Sequence, residues 1–187
     1  MRNVLPIIAF ILAFGVVAGE RPDPSLTGNP DYTHPLIEDH GRIVVWEGAA
    51  HQPRAGSKAL YDITGAENPG EVVKGIDRAA TFLNLCAAKG IDPREVDITL
   101  ILHGDATRAA MKNEAYADFV EAEDVTANPN LPLIRELKSH GVEVYVCLQA
   151  LSHRQIPLDA VDPAVEPAAS ALTVIINEQM DGYAYVP

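Results

Sequence analysis

Apolar and polar residues alternate along this chain in blocks whose periods separate strands from helices. Arg42 to Trp46 is a β-branched run following Gly41 and predicts a strand. Lys58 to Ile63 alternates weakly and predicts a second strand at a sheet edge. After the Asn68-Pro69-Gly70 break, Glu71 to Lys89 places apolar residues at Val72, Val73, Ile76, Ala79, Ala80, Leu83 and Ala87. Those intervals of three and four predict an amphipathic helix, with Gly90 at its stop. Val96 to Leu102 is almost continuously apolar, as expected of a strand covered on both faces. Ala106 to Val120 is helical in composition, and Leu131 to His140 predicts a shorter helix closed by Gly141. Val142 to Val146 predicts another buried strand, and a loop with Pro157 and Pro163 follows. Ser170 to Met180 mixes strand propensity with helical spacing; its length and the Gly182 stop favour helix. Tyr183 to Val186 predicts the last strand.

This alternation of strand and helix predicts an α/β fold, a three-layer α/β/α arrangement around an open, mainly parallel sheet of about five strands. The first residues differ. Arg2 precedes an uncharged apolar run from Val4 to Val17, small residues follow at Ala18 and Gly19, and Glu20-Arg21-Pro22-Asp23 turns polar. That layout predicts a Sec-type signal peptide over residues 1–19 and a periplasmic or secreted location, with no membrane association after cleavage. Residues 20–40 hold Pro22, Pro24, Pro30 and Pro35 and read as an irregular Pro-rich arm before a domain over residues 41–187.

The formal net charge of −12 argues against nucleic acid as a partner, because such a surface repels phosphate backbones. No Gly-rich nucleotide loop and no Gly-x-Ser-x-Gly elbow occurs, and the histidines lack ligand spacing, so neither a cofactor nor a metal is expected. Ligands of open parallel sheets gather beyond the carboxyl ends of the strands. Two stretches stand there: His103-Gly104-Asp105 after one buried strand and Cys147-Leu148-Gln149 after the next. Cys147 is the candidate nucleophile, and His103 has either a chemical or a structural part. Cys86 falls mid-helix and reads as a packed thiol; Asp105 and Asp159 read as solvated or capping carboxylates.

The runs Leu100–Thr107, Asn128–Leu133, Gly141–Gln149 and Ser170–Tyr185, in that order, resemble the exported branch of the DsrE-like family over roughly residues 40–187. The resemblance implies a small parallel-sheet fold, assembly as a homo-oligomer (trimer or hexamer), and sulfur relay through a cysteine persulfide. It places the persulfide on Cys147, sets His103, Asn130 and Gln149 as possible lining of the same pocket, and implies a sulfur donor or acceptor protein, or a small sulfur species, as partner. Leu148 departs from the family pattern, in which glycine commonly follows the cysteine. Three functions follow as expectations: a sulfur carrier or sulfurtransferase, a binding or assembly module in which Cys147 only packs, and an exported thiol-redox protein.

Overall fold

The structure, a computed structural model, describes residues 31–187. The stretch expected to be a signal peptide and the first part of the expected Pro-rich arm lie outside the described residues. Five strands form one parallel sheet: β1 (Lys58–Ile63), β2 (Asp97–Leu102), β3 (Glu143–Cys147), β4 (Glu166–Ala168) and β5 (Ala184–Val186), in the order β4-β3-β2-β1-β5. The α-helices are α1 (Lys74–Ala88), α2 (Asn113–Val120), α3 (Asn130–Ser139), α4 (Leu148–His153) and α5 (Ala171–Met180).

The chain steps outward from β1 through β2 and β3 to β4, then crosses back to pair β5 with β1. Parallel crossovers are right-handed, so reversing the direction of travel transfers the connecting helix to the opposite face. Accordingly α1 and α3 cover one face, and α5 lies on the other. The first face holds the larger core, in which Ile76, Ala79, Ala80 and Leu83 of α1 and Leu131, Ile134 and Leu137 of α3 meet Tyr61, Leu100, Leu102, Val144 and Val146. The second face holds a small cluster: Leu60, Ile101, Cys147, Ala171 and Val174. Successive strand residues point to opposite faces. Asp62 therefore shares the α5 face with Leu60, and Cys147 shares it with Tyr145.

Several elements differ from the sequence reading. Arg42 to Trp46 is not a sheet strand; among the described residues its only ladder contact is an antiparallel bridge between Thr33 and Ile43. Lys58–Ile63 is not an edge strand but lies between β2 and β5. The true edge on the far side is β4, whose Glu166-Pro167-Ala168 carries no periodic signal; proline is tolerated there because an edge leaves its missing N–H unneeded. Ala106 to Val120 is two pieces, a 3₁₀ segment over Gly104–Ala110 and α2.

Residues 31–41 form no helix or sheet strand, yet they are fixed to the domain. Asn84 on α1 is fully buried, and its Oδ1 accepts the N–H groups of Leu36 (2.9 Å) and Ile37 (2.8 Å). Its Nδ2 donates to the carbonyls of His40 (2.9 Å) and Gly41 (3.0 Å). One amide thus satisfies four backbone groups of residues 36–41, and Asp77 Oδ1 takes the Gly41 N–H (2.9 Å).

Candidate functional site

The carboxyl rim of the sheet, on the α5 face, collects the chemically capable side chains. Leu102 pairs with Val146 across β2 and β3. The next residues, His103 and Cys147, therefore stand side by side, at the roughly 4.8 Å spacing of neighbouring strands. Cys147 ends β3 and is the residue from which α4 starts, with φ −73° and ψ 117°. Leu148 is the first residue of α4 and is absent from the positive-φ positions, so the backbone here does not require a glycine. Cys147 is 5% exposed and packs in the small apolar cluster.

His103 is held by Asp62. Its Nε2 lies 2.5 Å from Asp62 Oδ1, and the Tyr185 hydroxyl donates to Asp62 Oδ2, also at 2.5 Å. An ionised carboxylate only accepts, so Nε2 carries the proton and Nδ1 is left as the basic nitrogen. The Asp62 side chain is 12% exposed and that of His103 27%. The hydrogen bond to Asp62, and then burial, raises the pKa of Tyr185 and keeps its phenol protonated. Three strands contribute to this chain: β1 supplies Asp62, the residue after β2 is His103, and β5 supplies Tyr185.

The remaining candidates divide. Gln149 is on the rim, exposed, and its Nε2 donates to the Ala169 carbonyl (3.1 Å), tying α4 to the segment before α5. Asn130 is not there. It is fully buried at the start of α3, where its Oδ1 accepts the Val73 N–H (2.8 Å) and its Nδ2 donates to Asn128 Oδ1 (2.9 Å). Its polar atoms join the start of α1 to α3. Asp105 forms an ion pair with Arg154 at the end of α4. Asp159 contributes its backbone carbonyl, which accepts from Lys112 Nζ (2.6 Å). Cys86 is fully buried on α1 in the larger core, away from the Cys147 face, and burial raises its thiol to a pKa of about 11. Both cysteines are free thiols.

Asp62 and Tyr185 were not legible as site residues from sequence. The available signal was a carboxylate at the carboxyl end of a strand that is otherwise apolar after its first residue. Among the described residues, no group of three or more His, Cys, Asp and Glu side chains is arranged to hold a metal ion. No described helix is long and apolar enough to cross a membrane.

The fold is that of an α/β protein with a parallel five-stranded sheet, whose carboxyl rim sets Cys147 on the strand next to the Asp62-bound His103. The chain belongs to the DsrE/DsrF-like family, whose model matches residues 65–187; the family is associated with sulfur relay. The fold is similar to that of MTH1491, a protein of unknown function from Methanobacterium thermoautotrophicum, with a TM-score of 0.51 and 15% identity over 70% of this chain and 97% of that one. Over 95 residues the chain is 35% identical to S-adenosylmethionine:tRNA ribosyltransferase-isomerase of Burkholderia pseudomallei (strain K96243), covering 49% of this chain and 25% of that protein. The protein of the same name from Burkholderia mallei (strain SAVP1) matches at the same identity and coverage. The chain thus spans a quarter of the length of these curated relatives.

Proposed function

We propose that this chain is an exported sulfur carrier or sulfurtransferase in which Cys147 holds sulfane sulfur as a persulfide. The observation that carries this reading is the adjacency of Cys147 to His103 on a rim where Asp62 fixes the imidazole with Nδ1 free. In the proposed step, His103 takes the thiol proton and the Cys147 thiolate attacks the outer sulfur of a donor persulfide. The donor's S–S bond breaks, a Cys147 persulfide forms, and the departing donor thiolate receives the proton from His103. A second thiol reverses the step to discharge the sulfur. No metal or cofactor enters.

Access to Cys147 in this reading requires displacement of α5. That helix buries only Ala171 and Val174 of its own residues, so it is lightly held. Its outer side exposes Leu172 (63%), Ile176 (48%) and Met180 (80%) at intervals of four residues. Such a stripe supports assembly of further copies of the chain on this face, as a trimer or hexamer. The signal-peptide pattern of residues 1–19 supports a periplasmic or secreted site of action. The formal charge of −12 weighs against tRNA as a substrate, whatever the partial likeness to the Burkholderia enzymes.

The test is intact-mass measurement after incubation with polysulfide or thiosulfate, followed by desalting. The expected product gains the mass of a sulfur atom on Cys147 and is not formed by Cys147→Ser. Absence of the adduct, or its survival in Cys147→Ser, overturns the reading. One observation favours a second reading, a binding or assembly module: Cys147 lies among Leu60, Ile101, Ala171 and Val174 and is 5% exposed. In that case Cys147 reacts with a small alkylating reagent no faster than buried Cys86.

A further inference from the structure

On the opposite side of the sheet from Cys147, the segment after the Thr33–Ile43 bridge folds against the outer side of α1 and lines an open cavity of about 550 Å³. Ile43, Phe82 and Leu85 give it an apolar lining, and Trp46 forms a wall that is 38% exposed. The wall is built rather than loose. Gln52 Nε2 donates to the carbonyls of Trp46 (2.9 Å) and Glu47 (3.2 Å), which holds the segment in a fixed turn. The volume falls in the range of small-molecule sites, which pair an apolar lining with a few polar groups.

The cavity is lined by two cations, Arg54 and Lys89, by His51 and by one carboxylate, Glu47. In a chain of net charge −12, cations are in short supply and acidic partners are abundant. Every other described lysine or arginine side chain meets a carboxylate, a carbonyl or an aromatic ring. Among the described residues, the Arg54 and Lys89 side chains meet none, and both line this cavity. The cavity joins a wall from residues 43–57, which precede the stretch matched by the family model, to Phe82, Leu85, Ala88 and Lys89 of the α1 region within it.

We propose that this cavity binds a small amphipathic anion. Its aromatic or aliphatic body lies on Ile43, Phe82 and Leu85 against Trp46, and its carboxylate, sulfonate or phosphate is taken by Arg54 and Lys89. The site is independent of Cys147 and of sulfur transfer. Apolar contact supplies the attraction, and the two cations select the sign of the head group.

Trp46 is the chain's single tryptophan and reports on the cavity directly. The full mature protein is titrated with 8-anilinonaphthalene-1-sulfonate while Trp46 emission is followed, and in parallel with the uncharged N-phenyl-1-naphthylamine. The expected result is saturable quenching of Trp46 by the sulfonate, with weaker binding of the neutral analogue. The double substitution Arg54→Gln, Lys89→Gln weakens sulfonate binding by about fivefold or more while far-ultraviolet circular dichroism is unchanged. Raised salt weakens binding to the unsubstituted protein, a reading that does not depend on any variant folding. Unchanged Trp46 emission, equal affinity for the neutral analogue, or sulfonate binding indifferent to salt and to the double substitution each overturns the proposal.

Discussion

The Asp62 carboxylate bridges His103 and Tyr185, accepting from the imidazole Nε2 at 2.5 Å on one oxygen and from the phenol at 2.5 Å on the other. Asp62 comes from an interior strand and Tyr185 from the edge strand beside it, so the carboxylate couples β5 to the rim where Cys147 sits. If His103 assists Cys147, Asp62 is a positioning residue that acts through it. Asp62→Asn then slows alkylation of Cys147 at neutral pH by about tenfold, with the fold intact by circular dichroism. The downfield proton resonance of the His103 Nε2–H is lost as well, which a purely structural role elsewhere would not cause. Tyr185→Phe keeps the Asp62–His103 bond and leaves most of the rate. An alkylation rate unchanged by Asp62→Asn would show that His103 and Cys147 are not coupled.

While the Gly41 N–H goes to Asp77 Oδ1, the amide of Asn84 satisfies four backbone groups of residues 36–41, those of Leu36, Ile37, His40 and Gly41. Asn84→Leu keeps the volume and removes every one of these bonds, stranding carbonyl and N–H groups around Ile37, itself fully buried. The expected loss is about 2–4 kcal/mol, read as a lower urea midpoint with the slope of the transition unchanged. Limited proteolysis should then cut first within residues 31–41. A variant as stable as the original protein would mean that this segment contributes nothing to the domain.

Much of this architecture was legible because burial writes itself into the sequence. Val96–Leu102 and Val142–Val146 are apolar at nearly every position since helices cover one or both faces, and β2 and β3 follow them closely. The Glu71–Lys89 pattern gave α1, and the mixed signal of Ser170–Met180 resolved to α5. The errors have physical origins. Lys58 and Asp62 made β1 look like an edge, but Asp62 is polar because it serves His103, and Leu60 and Tyr61 are buried on opposite faces. Arg42–Trp46 has strand propensity yet forms a cavity wall, with Val45 51% exposed. Asn130 belongs to a recognisable motif but braces α1. Of the site, Cys147 and His103 were readable from their strand-end positions. Asp62 and Tyr185 were not, because their meeting depends on β5 returning to β1, a pairing that no local pattern announces.

The exposed stripe on α5 carries a prediction about assembly. A second copy on Leu172 and Ile176 would cover residues that are 63% and 48% exposed in the isolated chain. Sedimentation should show a trimer or hexamer, and Leu172→Glu with Ile176→Glu should reduce it to smaller species at the same concentration without changing helical content. Charged residues at an interface core are disfavoured, so the effect should be complete at micromolar protein. A monomeric unsubstituted chain would assign the stripe to another occupant.

Gly41 tests how closely the segment before β1 rests on α1. Its φ is +61°, and an added Cβ would sit 2.3 Å from the Thr81 backbone nitrogen and 2.4 Å from the Ala80 carbonyl carbon. Neither atom can retreat, because both belong to the interior of α1. Gly41→Ala therefore combines a left-handed backbone with a main-chain clash, and it should displace residues 36–41 and lower stability by about 2 kcal/mol or more. Gly56→Ala is the comparison: its φ is +76°, but nothing lies within 4 Å of the added carbon. It should cost about 1 kcal/mol, the backbone penalty alone. Equal losses for the two variants would deny the close contact.

Cys86 and Tyr61 in the larger core, together with Tyr116, whose phenol burial also raises, make the protein's stability fall in alkali. Burial raises Cys86 from 9.0 to about 11, and burial raises Tyr61 from 10.0 to about 12, opposed in part by Arg78. In each case the protonated, neutral form is the one the core accepts. Between pH 9 and 11 the unfolded chain releases the cysteine proton while the native chain keeps it, so the unfolded state binds fewer protons and stability declines as pH rises. Tyr61 extends the decline from pH 10 toward 12 by the same reasoning. Urea midpoints should be insensitive to these groups below pH 9 and drop above it. Cys86→Ala should flatten the part of the decline between pH 9 and 11 and leave the part in which the tyrosines titrate. A decline of the same slope in Cys86→Ala would place the alkaline weakness elsewhere than in that thiol.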